Sequence, residues 1–163
     1  MARALIVIDV QKDYFEGGSL PLWNVNEIEQ RIADTIKRSR DRGDKIILVR
    51  HISKSPTGLF AQGSVGSEIS PLILSVAEDA PVVVKHVADA LQDTDLLSHL
   101  GECDELLLCG MMTQNCVAFT ALSRSADRFR ILVASELCTA PSEIVHKIAL
   151  NALASKVELV EQP

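Results

Sequence analysis

Aromatic residues make up only 4% of the 163-residue chain, with a single Trp and a single Tyr, so its interior has to be aliphatic, as in layered α/β proteins. Basic excess is missing as well: 16 Lys and Arg against 22 Asp and Glu give a formal charge of −6. A surface that tracks nucleic-acid phosphates needs a basic patch or stripe, and here the basic residues are scattered, so no nucleic acid partner is expected. No stretch approaches the roughly 20 apolar residues that cross a bilayer, which predicts a cytoplasmic protein with no membrane partner. The four cysteines, Cys103, Cys109, Cys116 and Cys138, show neither CxxC nor zinc-ligand spacing and are expected as free thiols. The first apolar run leads into Asp9-Val-Gln-Lys rather than a glycine-rich phosphate turn, which leaves NAD or ATP no evident seat. No repeat, low-complexity tail or linker divides the chain, and its length predicts one domain over residues 1–163, given roughly 100 to 200 residues per domain.

What is present is alternation. Short apolar runs at Ala4–Ile8, Lys45–Val49, Pro81–Val84, Glu105–Cys109, Phe129–Val133 and Lys156–Val160 are separated by amphipathic stretches. That pattern predicts an α/β fold: a six-stranded parallel sheet, doubly wound and Rossmann-like, with helices on both faces in three layers. Ile28, Ile32 and Ile36 recur at helical spacing within Asn26–Arg42, with Gly43 placed as a C-terminal cap. A second helix is expected over Ser142–Ser155, after Pro141, with Ile144, Ile148, Ala149 and Ala152 as its buried face. A third is expected from Thr113 to about Asp127, which puts Cys116 in its first turn. The stretch from His51 to Ser70 is rich in Gly, Ser and Pro, lacks periodicity and reads as a surface loop of functional length.

Ligands of an open parallel sheet bind outside the carboxyl ends of its strands. Asp9 closes the first apolar run, Lys85 the third, and Gly110 with Cys116 follows the fourth. Each alone has an ordinary explanation: Asp as a turn former or cap, Lys as a solvated surface charge, Cys as a small buried hydrophobe. Together they offer a nucleophile, a proton shuttle and a charge stabiliser.

These segments are recognisable. Asp9-Val-Gln-Lys-Asp13-Tyr-Phe-Glu-Gly-Gly-Ser-Leu20 resembles the opening of the isochorismatase-like cysteine hydrolases, a superfamily that includes nicotinamidases. Lys85 with Asp89-Ala-Leu-Gln-Asp-Thr-Asp-Leu96 is similar to its lysine segment, and Gly110-Met-Met-Thr-Gln-Asn-Cys-Val117 to its nucleophile segment. The resemblance implies a hydrolase that splits a C–N bond of a small amide or ureido compound through a thioester on Cys116, with Asp9 and Lys85 completing the triad. It further implies an oxyanion hole from the backbone N–H groups of Met112 and Cys116, beside a cis bond between Met111 and Met112. Gln11 and Asp13 would orient Asp9 and the nearby loops, Phe15 would wall the pocket with Leu20 and Trp23, and His51 would line it; turn hydrogen bonds, core packing or plain solvation are the alternatives. A small-molecule substrate, no cofactor and assembly into a homo-oligomer complete the expectation.

Two departures narrow it. Nicotinamidases of this superfamily bind metal through an Asp-x-His pair after the second strand, where this chain has Val49-Arg50-His51, so no metal is expected. The Ser and Phe usual in the lysine segment are replaced by Asp89 and Leu91, which points to a different substrate. Competing readings are an isochorismatase-type vinyl-ether hydrolase, which needs no thiol, and a non-catalytic or redox-active thiol protein that keeps the fold. For the thiol itself, an ammonium about 4 Å away contributes about 4 kcal/mol at an effective dielectric near 20, against about 0.3–1 kcal/mol from a helix dipole. Asp9 would oppose Lys85, so the three groups should titrate as a coupled set.

Overall fold

The fold was obtained as a computed structural model that describes residues 1–161 and 163. Six strands, β1 (Arg3–Ile8), β2 (Lys45–His51), β3 (Val82–Lys85), β4 (Glu105–Met111), β5 (Arg130–Thr139) and β6 (Glu158–Val160), form one sheet in the order β3-β2-β1-β4-β5-β6. Every pairing is parallel. The chain winds outward from β1 to β3, returns to the middle, and winds outward again from β4 to β6. This is the doubly wound arrangement, with its reversal of direction between β1 and β4.

Because strand side chains alternate between faces, each apolar run feeds two cores. Leu5, Val7, Leu48, Leu107 and Cys109 pack on the face covered by α1 (Val25–Asp41) and α2 (Pro71–Ala77). Ala4, Ile6, Ile8, Val49, Leu108 and Val133 pack on the opposite face with α3 (Leu96–Leu100), α4 (Ala118–Ala121) and Leu153 of α5 (Glu143–Leu153). Ile28, Ile32 and Ile36 of α1 are all buried, as their spacing predicts, and Gly43 ends the helix at φ 84°.

Three expectations need correction. The helix foreseen over Thr113–Asp127 is broken into a π turn at Thr113–Val117, the four-residue α4, and a 3-10 turn at Arg124–Ala126. Ser123 is extended, and its hydroxyl accepts from the Ser125 N–H at 3.2 Å, so a short polar side chain competes with the helix backbone. Cys116 therefore has no long helix behind it, and little dipole. In α5 the inward face is His146, Ala149 and Leu153, whereas Ile144 and Ile148 are 66% and 64% exposed. The helix is apolar on both sides, so periodicity alone could not choose its inner face. The stretch from His51 to Ser70 is irregular but not wholly superficial, since Phe60, Ala61, Ser67 and Ser70 are buried.

Strand β4 passes very close to β1. Gly110 has φ 117°, and a Cβ there would fall 2.0 Å from the Ile8 carbonyl oxygen. Only glycine admits that approach. Gly110→Ala should lower the unfolding free energy by at least about 2 kcal/mol. Ile32→Ala, a fully buried deletion, should cost about 2–5 kcal/mol. Urea denaturation followed by circular dichroism checks both.

Candidate active site

Chain reversal between β1 and β4 opens a crevice at their carboxyl ends, and the polar strand-end residues meet there. Asp9 leaves β1 at φ 53°, a left-handed turn that Asp tolerates, with its N–H donating to the Val49 carbonyl at 3.0 Å. Strand β3 buries Val83 and Lys85 on one face, by the two-residue strand period. In the β2–β3 register His51 lies directly opposite Lys85, so both side chains project to the same side. Both strands run slightly beyond the apolar runs in the sequence, which is why His51 read as a loop residue. Cys116 reaches the same crevice from the π turn after β4, where the Met111–Met112 peptide bond is cis.

Lys85 stands at the centre. An ammonium has three protons. His51 Nδ1 at 2.7 Å, the Val87 carbonyl at 3.1 Å and Cys116 Sγ at 3.1 Å accept them. Asp9 Oδ2 lies 2.9 Å from the same nitrogen but off the hydrogen-bonding direction, so this contact is an ion pair and neither carboxylate oxygen has an aligned donor. Asp9 and Lys85 are fully buried, and Cys116 keeps 3% of its surface exposed.

Burial sets the charge states. It pushes the Asp9 carboxyl above the ordinary carboxylate range, with the Lys85 ammonium pulling the other way. The Cys116 thiol is pushed up to about 12, by burial first and the Asp9 carboxylate second, against the pull of Lys85. Lys85 is thus not the dominant influence on the thiol, as a pairwise sum from sequence would have it. His51 is brought down to about 4 by burial, Lys85 and His86, in that order. These shifts leave Cys116 a thiol and His51 a neutral imidazole in the resting site.

Gln11 is fully buried and behaves like an extra rung of the sheet: its Oε1 accepts from the His51 N–H at 2.8 Å, and its Nε2 donates to the carbonyls of His51 at 2.8 Å and Ser67 at 2.9 Å. Asp13 ties two loops together, accepting from Ser19 N at 3.1 Å and Ser19 Oγ at 2.9 Å in its own loop and from Phe60 N at 2.7 Å in the loop after β2. A Cβ on Gly66 would fall 2.1 Å from Asp13 Oδ1. Phe15 and Leu20 pack half-buried against the α1-side core, and Trp23 lies beside His146 with ring centroids 5.9 Å apart. None of these three is among the groups gathered around Lys85. Asp89 accepts from the Leu91 N–H at 2.8 Å within its own turn, and Leu91 is buried in the core.

Two features were not legible beforehand. Tyr14 is buried edge-on to Phe60 at 4.8 Å, and burial, Asp9 and Cys116, in that order, hold its hydroxyl well above its usual pKa. Thr113 Oγ1 and His146 Nδ1 meet at 2.7 Å, joining the nucleophile turn to α5. Both involve isolated residues whose partners are remote in sequence, so no spacing announces them.

Asp9, His51 and Cys116 each offer one ligand-type atom within 4.8 Å of the others. A zinc ion there would sit about 2.0–2.3 Å from its ligands. Lys85 Nζ already lies within 3.1 Å of an atom of each residue, so a divalent ion would be pressed against an ammonium. This donor set does not fit a metal.

The family profile described as the Isochorismatase domain matches residues 3–162. The uncharacterized isochorismatase family protein YddQ of Bacillus subtilis is 30% identical over 177 aligned positions, covering 99% of this chain and 98% of that protein. An isochorismatase-like hydrolase from Alkaliphilus metalliredigens superposes with a TM-score of 0.88 at 25% identity, over 98% of this chain and 92% of that one. The pyrazinamidase of Pyrococcus horikoshii, solved in complex with zinc, shares the fold at a TM-score of 0.87 and 23% identity, over 99% of both chains. The profile runs from the first residue of β1 to beyond the end of β6, and the chain belongs to the isochorismatase family of hydrolases.

Proposed function

We propose that the chain hydrolyses a C–N bond of a small amide or ureido compound, with Cys116 as nucleophile, Asp9 as proton shuttle and Lys85 as charge stabiliser. The observation that carries this reading is one buried ammonium within 3.1 Å of both a thiol sulfur and a carboxylate oxygen. The burial that keeps Cys116 protonated also makes Asp9 a stronger base, so the proton moves between two groups whose affinities have been raised together.

As Sγ attacks the carbonyl carbon, its proton passes to Asp9 and an oxyanion forms on the carbonyl oxygen. The N–H groups of Met112 and Cys116 receive that charge; Met112 N–H has no acceptor among the described residues, which supports this role. Collapse breaks the C–N bond, and Asp9 returns the proton to the departing nitrogen. Water then attacks the thioester while Asp9 takes its proton. Collapse of the second intermediate releases the acid, and the sulfur regains a proton from Asp9. Lys85 remains an ammonium throughout. Gln11 holds His51 beside it, and Asp13 ties the covering loops.

A redox role fits less well, because susceptibility to oxidation follows thiolate character and this thiol is held up at about 12. Vinyl-ether cleavage gives the thiol beside Lys85 no task. All four cysteines are free and buried. No helix among the described residues is long and apolar enough to cross a membrane.

Assembly into a homo-oligomer is the second part of the proposal. Leu122 and Ile148 line a groove of about 300 Å³ with Gln114, Ala118, Val145 and Ala149. Phe119 and Ile144, 57% and 66% exposed, add apolar surface on α4 and α5. A second copy of the chain would cover this face.

Brief incubation with small amides and ureides should give an acyl adduct on Cys116 by mass spectrometry, absent in Cys116→Ala, whose turnover should fall by at least about 10³. If peroxide modifies Cys116 readily and no amide, ureide or ester ever acylates it, the hydrolase reading fails. Asp9→Asn should separate reactivity from catalysis: the thiol loses a neighbour that raises its pKa, so iodoacetamide alkylation at pH 8 speeds up while hydrolysis drops by about 10²–10⁴. Activity of the unmodified chain should decline on acidification through a limb above the ordinary carboxylate range, as Asp9 gains a proton it cannot then accept. In sedimentation velocity the chain should run larger than a monomer, and Ile148→Glu should dissociate it; a monomeric wild type removes the second copy.

A further inference from the structure

We infer that His51 selects the substrate, its Nε2–H donating a hydrogen bond to an acceptor atom on a neutral carboxamide or ureide. This rests on the hydrolase reading above and adds the residue that sets specificity within that substrate class.

The ring is held in place. Gln11 satisfies both the N–H and the carbonyl of His51, and the imidazole lies 5.8 Å, centroid to centroid, from Phe60. Its tautomer is held as well. Nδ1 is 2.7 Å from Lys85 Nζ, and an ammonium can only donate, so Nδ1 must present its lone pair and the proton must sit on Nε2. The depressed His51 pKa, about 4, agrees with a neutral ring. Nε2 is left over: it has no partner among the described residues, yet it is not sealed off, since it is absent from the buried atoms that lack partners. A fixed donor beside the nucleophile, open to a ligand, is what discriminates a substrate that carries an acceptor from one that does not.

The charges exclude an ionic substrate end. The three protons of Lys85 go to His51, Val87 and Cys116, with the Asp9 carboxylate alongside. Arg50, next to His51, is turned to Ser67, donating to its carbonyl at 2.8 Å and its hydroxyl at 3.0 Å. Neither cation is left for a carboxylate on the substrate, and Asp9 would repel one. A ligand that can only donate to Nε2 meets a proton already there.

Matched probes test this on the full chain carrying Cys116→Ser: benzamide, the three pyridinecarboxamide isomers, and 3-carboxybenzamide. Binding is measured by calorimetry and by ¹⁵N NMR of the histidine side chains. At least one pyridine isomer should bind about tenfold more tightly than benzamide and shift the Nε2 resonance of His51. The advantage should vanish in His51→Phe and partly return in His51→Gln, and 3-carboxybenzamide should bind no better than benzamide. The inference is overturned by any of four results: isomers within about twofold of benzamide, an advantage that survives His51→Phe, a proton on Nδ1, or no binding by any neutral probe. Acylation of wild-type Cys116 by these amides without a pyridine advantage would leave the hydrolase reading standing and remove His51 alone; with no acylation by any amide, both fall.

Discussion

A lysine ammonium with no access to water governs the architecture of this rim. Burying an ion costs several kcal/mol unless partners replace its hydration, and removing one partner of such a pair costs about 3–5 kcal/mol. Lys85 therefore requires that Asp9, His51, Val87 and Cys116 converge on a single nitrogen, and they do so from the ends of β1 and β2 and from the segments that follow β3 and β4. The sheet order makes this possible. Strands β1, β2 and β3 are consecutive neighbours, and β4 returns to the other side of β1, so four carboxyl ends share one edge.

The same burial governs the chemistry. In water a thiol and a carboxylate differ widely in proton affinity; in the crevice both are raised, and the ammonium between them favours the charged form of each. Their ionisations belong to the cluster and not to the separate residues. His51 adds a group that burial and the neighbouring Lys85 ammonium together keep neutral, and the ammonium also fills the space in which an ion would be bound.

Supporting residues act through the backbone more than through direct contact. Gln11 extends hydrogen bonding at the end of β2, Asp13 joins the loop holding Ser19 to the loop holding Phe60, and Gly110 lets β4 lie against the Ile8 carbonyl. Thr113 and His146 connect the nucleophile turn to α5, whose outer side is the apolar surface of Ile144 and Ile148.

Much of this was legible in the sequence. Alternating apolar runs specify strands and their two faces, because the strand period is two residues and each buried run needs cover on both sides. A charged residue closing such a run marks a strand end, which is how Asp9 and Lys85 stand out, and the motif around Cys116 supplies the third group. Periodicity could not settle the inner face of α5, where apolar residues lie on both sides, nor the break after Cys116, which depends on Ser123 competing for backbone hydrogen bonds. Only the tertiary structure decided that His51 faces Lys85, since parallel register is a relation between strands that share no local signal. It also decided the charge state of the thiol. Burial there outweighs the attraction of a neighbouring ammonium, and burial belongs to the whole fold rather than to any segment of the chain.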